Sequence, residues 1–287
     1  MKQRKSKYSL LLILATVIWG GAFVAQSLGA KQLGPFTFNS IRFFLGAIAL
    51  VPAFVYMDVK EGVMTHLYDK FLIRGGVVCG IFLFAAAATQ QIGIATTKAG
   101  TAGFLTTIYI VLVPVFSIFF GKKPRKRLWI SVALALVGMY FLCVDGALVF
   151  EPGDIWLIAC SVFYAMQIMA AGKYAPHVDV FKLSFYQFLT CGVLGIIPMI
   201  LEKPAFSDII ACWVPLCYLG FLSSGLACTL QLEAQKRVNA TVASIIMSLE
   251  SVFSLIFGML ILGESLSIRE GLGCGIMLLA VLLTELL

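Results

Sequence analysis

The chain has 287 residues, of which 61% are apolar and only 12% charged; ordinary globular domains carry roughly a quarter charged residues, so a soluble domain is excluded. The formal net charge of +7 comes from basic residues in the polar connections, which points to membrane topology and no nucleic acid partner. The apolar residues form long blocks without period-2 alternation, and in lipid that leaves helices rather than a closed barrel to satisfy the backbone.

Windows of about 20 apolar residues predict ten helices, near 8–29, 35–57, 71–94, 98–120, 127–146, 153–172, 182–201, 211–233, 238–262 and 266–287. The first follows a basic start (Lys2, Arg4, Lys5, Lys7) and mimics a signal peptide. Its apolar run, Tyr8 to Gly29, is longer than an h-region and lacks a small-x-small cleavage site, so it reads as a transmembrane helix. With the N-terminus cytoplasmic, the inner connections hold 16 basic residues, among them Lys60, Lys70, Arg74, Lys122, Lys123, Arg125, Lys173, Lys182 and Arg237. The outer ones hold four: Lys31, Lys98, Lys203 and Arg269. The acidic stretch Asp145–Asp154 falls outside. This bias predicts a multi-pass protein of the cell (inner) membrane with both termini cytoplasmic. Its eight cysteines lie scattered in apolar segments without CxxC spacing, and His66 and His177 lie in polar connections. No metal site, disulfide frame or cofactor is expected from them.

A shift of 137 residues lays Pro114-Val115-Phe116-Ser117-Ile118-Phe119-Phe120-Gly121 on Ser251-Val252-Phe253-Ser254-Leu255-Ile256-Phe257-Gly258, and Gly138 on Gly275. An odd number of helices per copy makes the second copy enter the membrane from the opposite side. The expected fold is an all-α polytopic membrane protein, ten transmembrane helices as two inverted five-helix repeats, 8–146 and 153–287. Repeats of this kind place a binding site between the halves near the midplane.

Several motifs resemble those of the drug/metabolite transporter superfamily, in its EamA-like branch. They are Trp19-Gly20-Gly21-Ala22-Phe23 in the first helix, Pro35 through Arg42-Phe43 in the second, and Pro114-Val115 in the fourth. Val137-Gly138-Met139-Tyr140, Gly153-Asp154, Leu262-Gly263-Glu264 and the glycine-rich last helix (Gly271, Gly273, Gly275) complete the pattern across essentially the whole chain. Ser251 stands where the ninth helix of the family carries proline. The resemblance implies a transporter of metabolites or amino-acid-like solutes, with export as the expected direction.

Polar residues at membrane depth are expensive and by default functional. Glu250 lies about a dozen residues into the ninth helix, roughly 18 Å of rise. It is a candidate for proton coupling or for a cationic substrate group; the alternative is a carboxyl that locks helices together. Arg42 shares a helix face with Asn39 and Gly46 and suits carboxylate or phosphate ligands; snorkelling or carbonyl capping is the structural alternative. Trp19, Phe23 and Gln26 line one face of the first helix. Gln90 and Gln91 cannot both face lipid. Thr106, Thr107 and Tyr109, with Tyr164 and Gln167, are weaker candidates, since threonine often bonds its own backbone. The substrate-binding set is therefore Trp19, Gln26, Asn39, Arg42, Gln90, Gln91, Tyr109, Gln167 and Glu250.

Together these features predict a secondary active transporter for a small organic molecule, working by alternating access with proton coupling or exchange. No P-loop is present to drive it with ATP. A membrane channel or an intramembrane enzyme is the alternative, the first needing a filter segment and the second a catalytic pair at depth. The expected partners are the lipid bilayer and a small-molecule substrate; a homo-oligomer is compatible with the sequence.

Overall fold

The computed structural model describes residues 2–61, 69–97, 99–122, 124–143, 151–262 and 267–286. His66, Lys98, Lys123, Gly263, Glu264 and the 144–150 part of the acidic stretch lie outside them. Among the described residues every regular element is helical. In chain order these are α1 (Lys2–Ala30), α2 (Pro35–Glu61), α3 (Lys70–Ile94), α4 (Ala99–Thr107), α5 (Tyr109–Phe119), α6 (Leu128–Cys143) and α7 (Asp154–Tyr174). There follow α8 (Val180–Glu202), α9 (Phe206–Ala211), α10 (Trp213–Gln235), α11 (Ala240–Met247), α12 (Glu250–Phe257) and α13 (Ile268–Leu286). Among the described residues eight stretches are long and apolar enough to cross a membrane, and α6 is a shorter apolar helix. Outward faces expose Ile48, Val55, Ile197, Leu278 and Leu282, a surface suited to acyl chains rather than water.

Local chemistry sets the helix starts. Side chains of Asp69, Asp179 and Asn239 accept the N–H of Phe71, Lys182 and Val242 at 2.8, 2.9 and 2.9 Å, capping α3, α8 and α11. The first helix begins at Lys2, ahead of the expected residue 8, because lysine, arginine and glutamine continue a helix readily. The expected eighth helix, now α10, is preceded by the short α9, whose C-cap Cys212 stands just before Trp213.

Two expected continuous helices are interrupted instead. The fourth breaks at Ile108, where amides reach back only three residues: Ile108 N–H to Leu105 O and Val111 N–H to Ile108 O. The ninth breaks at Ser248–Leu249, with Leu249 N–H on Ile246 O and Ser251 N–H on Ser248 O. Hydroxyls compete for helix carbonyls at both places: Thr107 Oγ1 donates to Gly103 O at 2.9 Å and Ser248 Oγ to Ile245 O at 2.6 Å. Such back-bonding bends helices. Pro114, which has no N–H to donate, lies a turn and a half further on in α5. Glu250 thus opens α12 rather than lying mid-helix.

Close helix contacts use small residues. A Cβ on Gly20 would lie 2.5 Å from Phe253 Cβ, so α1 meets α12 backbone to backbone. Gly138 of α6 and Gly273 of α13 abut, a Cβ on Gly273 falling 2.7 Å from Gly138 O; around Gly275 the space is open. The strongest polar tie joins α2 to α8. At one end Glu202 accepts Phe36 N–H at 3.0 Å and Thr37 N–H at 2.7 Å, satisfying first-turn donors of α2. At the other end Lys182 Nζ lies 2.8 Å from both carboxylate oxygens of Asp58. Lys182 is therefore a buried ion-pair partner, 1% exposed, and the two helices run antiparallel, clamped at both ends.

Candidate functional site

The two helix breaks meet. Tyr109, first residue of α5, donates its hydroxyl to Glu250 Oε1 at 3.2 Å, and Thr107 Oγ1 and Ser251 Oγ lie 3.5 Å apart. Beside this junction is a cavity enclosing about 660 Å³ of atom-free space, mouth included. Seven of the nine residues expected to bind substrate line it: Trp19, Gln26, Arg42, Gln90, Tyr109, Gln167 and Glu250. They come from α1, α2, α3, α5, α7 and α12, distant in sequence and convergent in space.

The other two lie elsewhere. Asn39 Nδ2 donates to Ala87 O at 3.0 Å, tying α2 to α3, and Gln91 Nε2 reaches Gln26 O at 3.3 Å, tying α3 to α1. Both amides are buried and join helices, as polar groups in a membrane bundle commonly do.

Aromatic rings form part of the cavity wall. Trp19, Phe23, Phe43, Tyr109 and Tyr164 contribute to it, and the rings of Tyr109 and Tyr164 meet edge-on with centroids 6.4 Å apart. Trp19 Nε1–H donates to Ser223 O at 3.2 Å. That carbonyl lies in Tyr218–Cys228, where α10 widens to a π-helical turn, a local irregularity common at functional sites. Tyr164 donates its hydroxyl to Gln90 Oε1 at 3.2 Å. Arg42 is 4% exposed, stands 4.6 Å over the Phe43 ring, and leaves its Nε without a hydrogen-bond partner. Among the described residues no carboxylate forms an ion pair with it. Tyr164 lies within electrostatic reach of both Arg42 and Glu250.

Ser223, Ser224, Cys228, Gln231 and Met247 also line the cavity and were not singled out in the sequence. Gln231 is the most consequential, because it belongs to a relay of amides across three helices. Gln167 Nε2 donates to Gln187 Oε1, and Gln231 Nε2 donates to both Gln167 Oε1 and Gln235 Oε1, each at 3.1 Å. Gln235 Nε2 closes the relay on Ile168 O at 2.9 Å. The i, i+4 pair Gln231 and Gln235 near the end of an apolar run was the available signal.

A second cavity, about 1,310 Å³ of atom-free space with its mouth, lies at the end of the bundle where Ser9, Ser117, Met169 and Thr284 meet Lys122, Arg125 and Arg237. The intervening turns of α1, α5 and α11 carry Leu12, Val113 and Ile246, all buried in one apolar cluster. Among the described residues no group of three or more His, Cys, Asp or Glu side chains could hold a metal ion.

Membrane-length helices converging on a buried cavity lined by aromatic, amide and charged side chains define a multi-pass membrane protein with a central polar site. The EamA-like transporter family model matches the chain twice, at residues 6–144 and 151–286, and the chain belongs to that family. A protein of Archaeoglobus fulgidus named an uncharacterized transporter is 31% identical over 278 residues, covering 96% of this chain and 84% of the relative. The uncharacterized inner membrane transporter YedA of Escherichia coli K12 is 24% identical, covering 94% and 88%. A crystal structure superposes with a TM-score of 0.81 at 19% identity, over 98% of this chain and 97% of that one, and shares the fold.

Proposed function

We propose that the protein is a secondary transporter that carries a small organic solute through the central cavity by alternating access, and that the Glu250–Tyr109 junction couples transport to protons. The observation that carries the proposal is the cavity itself: residues from both ends of the sequence meet there, mid-way along interrupted helices, with two ionisable groups, Arg42 and Glu250, that form no ion pair among the described residues. Broken helices at a central site are a recurrent device of secondary transporters.

The molecule is read as ten membrane helices in two inverted repeats, 8–146 and 153–287. Support comes from the twofold family match, from the antiparallel run of α2 against α8, and from the placement of Asp58 and Glu202. Each of these acids lies near the C-terminal end of its helix and grips the start of the other's. The 16-to-4 basic bias puts both termini in the cytoplasm and makes the cavity rimmed by Lys122, Arg125 and Arg237 the cytoplasmic vestibule. In the conformer described, Leu12, Val113 and Ile246 close the path between vestibule and central cavity; alternating access requires that contact to part.

Purified protein in proteoliposomes, assayed for uptake of amino acids, nucleotide sugars and cationic drugs with and without a pH gradient, tests the proposal. Ala22, a small buried residue lining the cavity, provides the control: Ala22→Phe fills the space and is expected to abolish uptake while the protein stays monodisperse. Undiminished uptake through that variant would refute the cavity as the route.

A further inference from the structure

We infer that the cargo carries a single carboxylate, which docks on Arg42; the assignment rests on the central cavity being the transport site. Arginine stays charged at any physiological pH, so α2 holds a permanent cation on a residue only 4% exposed. A buried charge without a partner is strongly destabilising. In this structure the guanidinium has the Phe43 ring face and an Nε without an acceptor. Glu250 would be the natural internal partner, yet its carboxylate oxygen takes the Tyr109 hydroxyl, and the two charges form no ion pair. The acceptor that Arg42 lacks therefore arrives with the ligand.

Charge counting narrows the class. Arg42 is the one cation and Glu250 the one acid among the residues lining the cavity. With Glu250 protonated, as the proposed proton coupling has it in the loaded state, a monoanion balances Arg42. A phosphate monoester, at about −1.5 to −2 near pH 7, would leave uncompensated negative charge in a desolvated site. A carboxylate also presents two coplanar oxygens to the guanidinium fork, the geometry in which these pairs are strongest. The rings of Trp19, Phe23 and Tyr164 leave the rest of the ligand an aromatic or apolar body.

The test is calorimetric titration of the detergent-solubilised protein with four ligands sharing one ring: phenylacetate, phenylacetamide, phenethylammonium and phenyl phosphate. Phenylacetate is expected to bind at least ten-fold more tightly than each of the others. Arg42→Gln is expected to remove the preference for phenylacetate over phenylacetamide, and Arg42→Lys to keep part of it, since the charge remains but the fork is lost. The wild-type series stands even if a variant fails to fold. The inference is overturned if amide or ammonium binds as well as the carboxylate, if the phosphate binds more tightly, if none of the four binds, or if Arg42→Gln keeps the preference. Phenylacetate binding that survives Ala22→Phe would instead overturn the cavity reading, so the two failures are separable.

Discussion

The Asp58–Lys182 ion pair gives a prediction whose sign and asymmetry follow from burial. At 2.8 Å, and with an effective dielectric of about 20, the attraction is about 6 kcal/mol before desolvation. Desolvating both ions removes most of this, so the pair contributes little relative to a well-packed apolar replacement. Breaking it from one side is different. Asp58→Asn takes the Asp58 carboxylate from the ammonium of Lys182, 1% exposed, and removing one partner costs about 3–5 kcal/mol in fully buried pairs. Asp58 is 18% exposed and both groups hold further contacts, which lowers the expected cost to about 2–3 kcal/mol on the same scale. Lys182→Met leaves the better-hydrated partner behind and is expected to cost about 1–2 kcal/mol. The double variant is expected to be more stable than Asp58→Asn alone. Denaturation can be followed with a thiol-reactive fluorophore, because Cys79, Cys160 and Cys191 are free and buried. Equal losses from the two single variants, or a double variant whose loss is their sum, would refute the reasoning.

Glu250→Gln is expected to leave the fold intact and to make transport unresponsive to a pH gradient in proteoliposomes; an unchanged pH response would exclude Glu250 from coupling. Glu202→Ala removes the acceptor for two amides at the start of α2 and is expected to lower stability by about 1–2 kcal/mol in the same thiol assay, whereas a surface residue would give no loss. Gly273→Leu forces a side chain onto the backbone of Gly138 and Leu142. It is expected to cost at least about 3 kcal/mol, the upper part of the overpacking range, while Gly275→Leu, facing open space, is expected to be nearly neutral.

Much of this arrangement was legible because lipid simplifies the physics. Apolar run length located eight membrane-length stretches among the described residues to within a few residues, and the cost of burying polar groups singled out Arg42, Glu250 and the glutamines. Five of those side chains, Arg42, Glu250, Gln26, Gln90 and Gln167, line one cavity with Trp19 and Tyr109, although nothing in the sequence gives their mutual distances. Asn39 and Gln91 show why depth alone does not assign a role: the same cost is met by a neighbouring helix carbonyl as well as by a substrate. The breaks at Ile108 and Ser248–Leu249 escaped notice because apolar windows are blind to hydroxyls that turn back on the helix. Lys182 was read as a topological anchor because charge counting does not see that Asp58, 124 residues away in sequence, waits beside it.

The central claim is that one cavity is reached in turn from the two faces of the membrane. Cys228 lines that cavity, so a protein retaining it while the other seven of the eight cysteines are replaced carries a reporter in place. Its reaction with a membrane-impermeant methanethiosulfonate is measured on intact cells and on inside-out vesicles. The account predicts labelling from both faces, slowed in each case by Ala22→Phe. Labelling from only one face, or from neither, would contradict it.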